Sequence, residues 1–155
     1  MPLHFIHTNR RGTTSAMTDS IWIEPGAALN PALPLSKNEM KPLIRRLLSV
    51  LGLQGASLEL RLVDDVEIAR LNREFLGMTG PTNVLSFPAE DPEQPQYLGE
   101  LALSVDTLTR EAALYGQDPQ SHLVRLLAHG LLHLAGYDHG QAMEAMTDAA
   151  VEALG

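Results

Sequence analysis

Between Asp118 and Gly136 the chain has well-marked punctuation for a single helix. Asp118 suits the N-cap, and Pro119 suits the first turn, where its missing N–H has no partner to lose. The apolar pattern then runs on to Ala135, and Gly136 suits the left-handed position that ends a helix. Near the end of this helix stand His129 and His133, with His139 six residues further on in "HGLLHLAGYDH". The i, i+4 spacing puts the first two imidazoles on one face, about 6 Å apart along the axis. Gly136 lets the chain leave sharply, so the turn can swing His139 back beneath that face. Two or three such rings can hold one ion at nitrogen–metal distances of about 2.0–2.1 Å. Three neutral nitrogen ligands with one open position is the catalytic zinc pattern, whereas structural zinc usually has four protein ligands, often Cys. The expectation is one Zn2+ per chain on His129, His133 and His139. His122 lies about two turns earlier, too far along the axis for the same ion, and is read with His4 and His7 as structural or surface.

The rest of the chain reads as strands and helices in alternation. "SIWIE" is strand-like, and "EPGAALNPALPLS" is a loop. Ser36 and Glu39 resemble a capping box before a helix presenting Leu43, Ile44, Leu47, Leu48 and Leu51, with Gly52 as its stop. Pro42 blurs where that helix starts. "SLELRLV" alternates Leu58, Leu60 and Leu62 against Glu59 and Arg61, the pattern of a half-buried strand. A short helix follows, capped by Asp64 or Asp65, with Ile68, Leu71 and Phe75 inward. "NVLSFP" and "LGELALSV" are further strands, separated by a proline-rich loop. Asp106 or Thr107 opens a helix ending near Gly116, and "QAMEAMTDAAVEALG" closes the chain as a helix. No internal repeat is found. The fold class expected is α+β: a small mixed sheet of about four strands packed with about five helices, similar to zinc hydrolases.

Composition narrows the function. At 155 residues a single domain is the simplest reading. Residues 1–19 are polar and aperiodic and read as a flexible N-terminal extension, with Met17 an alternative start; residues 20–155 read as the domain. The absence of cysteine removes disulfides, thiolate ligands and a cysteine nucleophile. No apolar run approaches the roughly 20 residues of a membrane span, and no signal-like segment leads the chain, so a cytoplasmic protein without a membrane partner is expected. A net charge of −8 argues against nonspecific duplex binding, and no DNA partner is expected.

The histidine spacing also matches the zinc-peptidase motif H-E-x-x-H-x-x-G-x-x-H at every position but one. Gly130 stands where that motif has glutamate, the general base of peptide hydrolysis, and glycine takes no proton. Asp138 is the nearest acid, read as a turn residue that orients a neighbouring ligand. The spacing identifies no catalytic group beyond the metal ligands.

"HGLLHLAGYDH" resembles the signature of the YbeY family of bacterial metal-dependent endoribonucleases. The resemblance is supported by "LN" at Leu71–Asn72, "PTNVLSFP" at Pro81–Pro88 and "LGELALSVDTLTREAALYG" at Leu98–Gly116, and is close from Val63 to His139. It implies a zinc-dependent endoribonuclease specific for single strands, acting in maturation of the 3′ end of small-subunit rRNA and in ribosome quality control. Its partners would be single-stranded RNA, rRNA and the ribosome or small ribosomal subunit, and the family's ligands fall on His129, His133 and His139. One stretch departs from the family. Where the family has F/W-R-x-K-D, this chain has Leu76 at the arginine and Met78 and Thr79 at the Lys–Asp pair. A cation for the developing phosphoryl charge must then come from elsewhere. Arg73, one turn back, is the candidate, failing which activity is reduced; on a surface this acidic any RNA groove is local, with Arg70, Arg73, Arg110 and Arg125 as its candidate contributors. Asn83 and Ser86 are candidates to line the cleft. Two readings stay open beside this one: a zinc peptidase, opposed by Gly130, and a non-catalytic ribosome-associated factor, which Leu76 favours.

Overall fold

A computed structural model describes residues 21–25, 31, 33 and 36–155. Four strands and five helices follow in order: β1 (Ile21–Pro25), α1 (Lys37–Val50), β2 (Ser57–Val63), α2 (Asp65–Leu76), β3 (Val84–Pro88), β4 (Tyr97–Ser104), α3 (Val105–Leu114), α4 (Pro119–Leu134) and α5 (Gln141–Leu154). The α+β expectation holds, with a mixed sheet in the order β1-β2-β4-β3. β1, β2 and β4 run parallel, joined by helical crossovers, and β3 returns antiparallel against β4. The extension expected over residues 1–19 lies outside the described residues. No described helix is long and apolar enough to cross a membrane.

The sheet divides the core in two. Leu58, Leu60, Leu62, Leu101 and Leu103 meet α1, α4 and α5 in the larger cluster. On the opposite face Ile68 and Leu71 of α2 pack on Leu85, Phe87 and Ala102, with Phe75 edge-on to Phe87 at 5.4 Å. This corrects the reading of β2 as half-buried. Glu59 is only 1% exposed and lies beside Glu100, 0% exposed, in the β2–β4 register. Alternation marks a solvent face only when one side of a strand is open. β2 is a central strand between β1 and β4, and on its second face Val63 joins the cluster under α2.

Helix starts follow their caps. Ser36 precedes α1, its backbone N–H donating to Glu39 Oε1 at 2.9 Å, so Pro42 falls inside the helix rather than at its start. Asp64 caps α2 by accepting from the Glu67 N–H at 2.9 Å. α3 starts earlier than Asp106 or Thr107, because Ser104 is its cap and accepts from the Thr107 N–H. Asp106 instead accepts the Asp65 N–H from α2.

Asp65 in turn joins α2 to β4 and α3. Its carboxylate accepts from Ser104 Oγ at 2.8 Å, Thr107 Oγ1 at 2.6 Å and Arg110 Nη1 at 2.9 Å. Burial alone would raise its pKa, but the bonds from Thr107, Arg110 and Ser104 and the Arg110 charge together hold it below the ordinary value. A depressed folded pKa contributes stability above the unfolded value of about 3.9, lost as pH falls through the folded one. Asp65→Ala also strands two hydroxyls and is expected to cost on the order of 2 kcal/mol near neutrality. The gap in thermal midpoint between wild type and variant is expected to narrow steadily below about pH 4; a gap unchanged at pH 3 would contradict this role.

Candidate metal centre and its groove

The helix predicted from Asp118 to Gly136 is present. Asp118 accepts from the Ser121 N–H at 3.0 Å, Pro119 occupies the first turn, and Gly136 adopts φ 98° after Leu134 ends α4. That left-handed residue turns the chain beneath the helix, and His139 returns to the face of His129 and His133. The ring centroids are 4.7 Å apart for His129–His133, 5.2 Å for His129–His139 and 4.6 Å for His133–His139. One nitrogen from each ring lies within 4.8 Å of the other two. Ligands on one ion at about 2.0–2.1 Å sit no more than about 4 Å apart, so a small rotation of the rings closes the cluster on an ion.

Two features suit the rings to a metal. Burial first, then the neighbouring His133 and His139, lower the pKa of His129, which favours the neutral imidazole that binds a cation. His133 places Nδ1 3.1 Å from the Tyr137 carbonyl oxygen. With Nδ1–H donating to that oxygen, Nε2 keeps its lone pair for an ion. The orienting acceptor is therefore a backbone carbonyl in the turn. Asp138, expected in that role, is exposed and lines the groove.

All three histidines open into a groove of about 1280 Å³ between the turn after α4, strand β3 and the segment following α2. Asn83 and Ser86 both line it, as expected. Both are also structural: Asn83 donates to Glu111 and accepts from the Val84 N–H, and Ser86 donates to the Gly130 carbonyl at 3.2 Å. Leu76, 59% exposed, lines the groove as well, so a cation at that position would have faced it. Arg73, offered as its substitute, is exposed but does not line the groove. Arg70 is held by Glu67 and Glu74, and Arg110 by Asp65.

Sequence reasoning missed three supports. Asn72, 6% exposed, donates to the Gly80 carbonyl at 3.0 Å and fixes the loop entering β3. His122 is structural, as read, but through a bond not foreseen: Nε2 lies 2.9 Å from Glu111, which also receives Asn83, tying α4 to the start of β3. No spacing in the sequence signals either bond. The third is Gly130. A Cβ there would come within 2.9 Å of Leu101 Cδ2 and 3.3 Å of Val84 Cγ2. The residue after His129 thus faces the sheet, and a side chain there would have to displace a methyl of Leu101.

An open cluster of three imidazoles beside a groove too large for an ordinary small-molecule pocket fits a hydrolytic metal centre acting on an extended substrate. Comparison with known proteins gives the particular family. The family profile described as endoribonuclease YbeY matches residues 30–154. The endoribonuclease YbeY of Oleidesulfovibrio alaskensis is 48% identical, the match covering 77% of this chain and 83% of that protein. That of Nitratidesulfovibrio vulgaris is 47% identical, covering 78% and 86%. The solution structure of TM1509 from Thermotoga maritima superposes with a TM-score of 0.59 at 25% identity, covering 84% of this chain and 87% of that one. The chain belongs to the endoribonuclease YbeY family.

Proposed function

We propose that this chain hydrolyses single-stranded RNA at one zinc ion held by His129, His133 and His139. Its substrate would be rRNA on the ribosome or small ribosomal subunit, with roles in maturing the small-subunit 3′ end and in ribosome quality control in the cytoplasm. The observation that carries this reading is the opening of the histidine cluster into the groove. Membership of the family makes the chain an endoribonuclease, a hydrolase of RNA phosphodiesters, and gives no support to the peptidase and non-catalytic readings. An ion on the three imidazoles would supply Lewis acidity to a phosphoryl oxygen and to water. The chain's own contributions are the neutral His129, the His133 ring fixed by the Tyr137 carbonyl, and walls that suit unpaired bases. Phe75, Leu76, Met78 and Tyr137 give the groove apolar and aromatic surface, on which splayed bases stack whatever their sequence.

The test is incubation with single-stranded RNA, duplex RNA and casein, each with and without chelator. Single strands should be cut, the chelator should stop the reaction, and casein should remain whole. Casein cleavage without RNA cleavage would reverse the reading. Leu76→Arg, which puts a cation on the groove wall, is expected to raise kcat/KM on single-stranded RNA by up to about tenfold. A fall would show that the apolar contact Leu76 gives a base outweighs the added charge.

A further inference from the structure

The groove carries no lysine or arginine among its described lining residues, while Glu90, Asp91 and Asp138 do line it. A phosphodiester brought to the histidine cluster on that side meets no lysine or arginine among the described lining residues. A second, smaller cavity of about 350 Å³ shares His129 and His139 with the groove and is otherwise lined by α4 and α5 and the residue before α5, with Glu144 its one acidic residue. Arg125 lines it, one helical turn before His129 on α4. It is the only lysine or arginine among the described residues lining either cavity. Its side chain is 39% exposed and its guanidinium bonds Asp148 of α5 at 3.0 Å, with the Asp148 side chain 67% exposed. Ion pairs as exposed as this contribute little, so Arg125 can exchange Asp148 for a phosphate at small cost, and its planar fork suits phosphate oxygens.

We propose that Arg125 binds a backbone phosphate of the RNA next to the histidine cluster, supplying from α4 the cation that position 76 lacks. This rests on the reading of the cluster as the RNA-cleaving site. The strand then crosses the cluster with its bases against Leu76, Met78 and Tyr137 and its adjoining phosphate in the smaller cavity. Asp148 competes with that phosphate for the guanidinium.

The experiment compares wild type with Arg125→Gln, Arg125→Lys and Asp148→Asn, using a single-stranded RNA oligonucleotide and metal analysis on each protein. Arg125→Gln is expected to keep its metal, to lose roughly ten- to a hundredfold in kcat/KM, and to show a salt dependence of RNA affinity shallower by about 0.7 in log–log slope. Arg125→Lys should recover most of the slope, Leu76→Arg added to Arg125→Gln should recover part of the activity, and Asp148→Asn should bind RNA more tightly. Wild-type slope and kcat/KM in a metal-replete Arg125→Gln protein would overturn the proposal while leaving the proposed function standing. If Arg125→Gln loses its metal, Asp148→Asn decides, and unchanged RNA affinity there overturns it. A wild-type protein that holds metal but neither binds nor cuts RNA would overturn the proposed function, and this proposal with it.

Discussion

His133→Ala is expected to remove bound metal and RNA cleavage together while leaving the fold largely intact. His133 is partly exposed at the end of α4, and its ring contacts are the other two histidines and the Tyr137 carbonyl. Little core packing is lost with it. The loss to the site is large. Groups that merely orient a ligand are worth about 10–100-fold in metal affinity or activity, so removing one ligand of three should exceed that range. Elemental analysis after gel filtration and a single-stranded RNA assay read the two effects, and far-UV circular dichroism reads the fold. Full metal retention in His133→Ala would show that the ion, if any, sits elsewhere.

Gly130→Glu is expected to do the opposite: to damage the fold rather than create a peptidase. Restoring the glutamate of the peptidase motif sounds constructive on sequence grounds. In the structure, however, this position is buried where α4 packs on Leu101 and Val84. A Cβ alone must displace a leucine methyl, an overpacking cost of about 1–3 kcal/mol, and a carboxylate in that contact adds several kcal/mol unless it finds a partner. A total above about 3 kcal/mol corresponds to a drop in thermal midpoint of roughly 6–12 °C for a domain of this size. Gly130→Ala should be much milder, since alanine regains about 1 kcal/mol of helix propensity and the leucine methyl can move. An unchanged midpoint in Gly130→Glu, or casein cleavage by it, would contradict the packing account.

The histidine site was legible because its information is local. Helix spacing, a C-terminal glycine and three imidazoles within eleven residues define a geometry that tertiary structure has little freedom to alter. The order of helices and strands was legible for the same reason: caps at Ser36, Asp64 and Asp118 act on the adjacent turn. What failed depended on neighbours distant in sequence. Glu59 looked solvent-facing because alternation does not report a strand on either side or cover on the second face. The cap of α3 was misplaced because Asp106 looked available, whereas it accepts the Asp65 N–H from another helix. Gly130 excludes the peptidase's glutamate chemistry at a glance, but its contact with Leu101 and Val84, residues distant in sequence, shows only in the structure. Arg73 is near Leu76 in sequence but does not line the groove, while Arg125, far away in sequence, lines the smaller cavity that shares His129 and His139 with it.

The central claim is that His129, His133 and His139 hold one zinc ion open to the groove. Crystals of protein purified without added metal or chelator, measured on both sides of the zinc absorption edge, test it most directly. The account predicts one anomalous peak per chain, present above the edge and nearly absent below it, about 2.0–2.1 Å from a nitrogen of each of the three rings, with no fourth protein ligand. A zinc-replete protein whose peak lies away from these rings, or whose ion is enclosed by a fourth protein ligand, would contradict it.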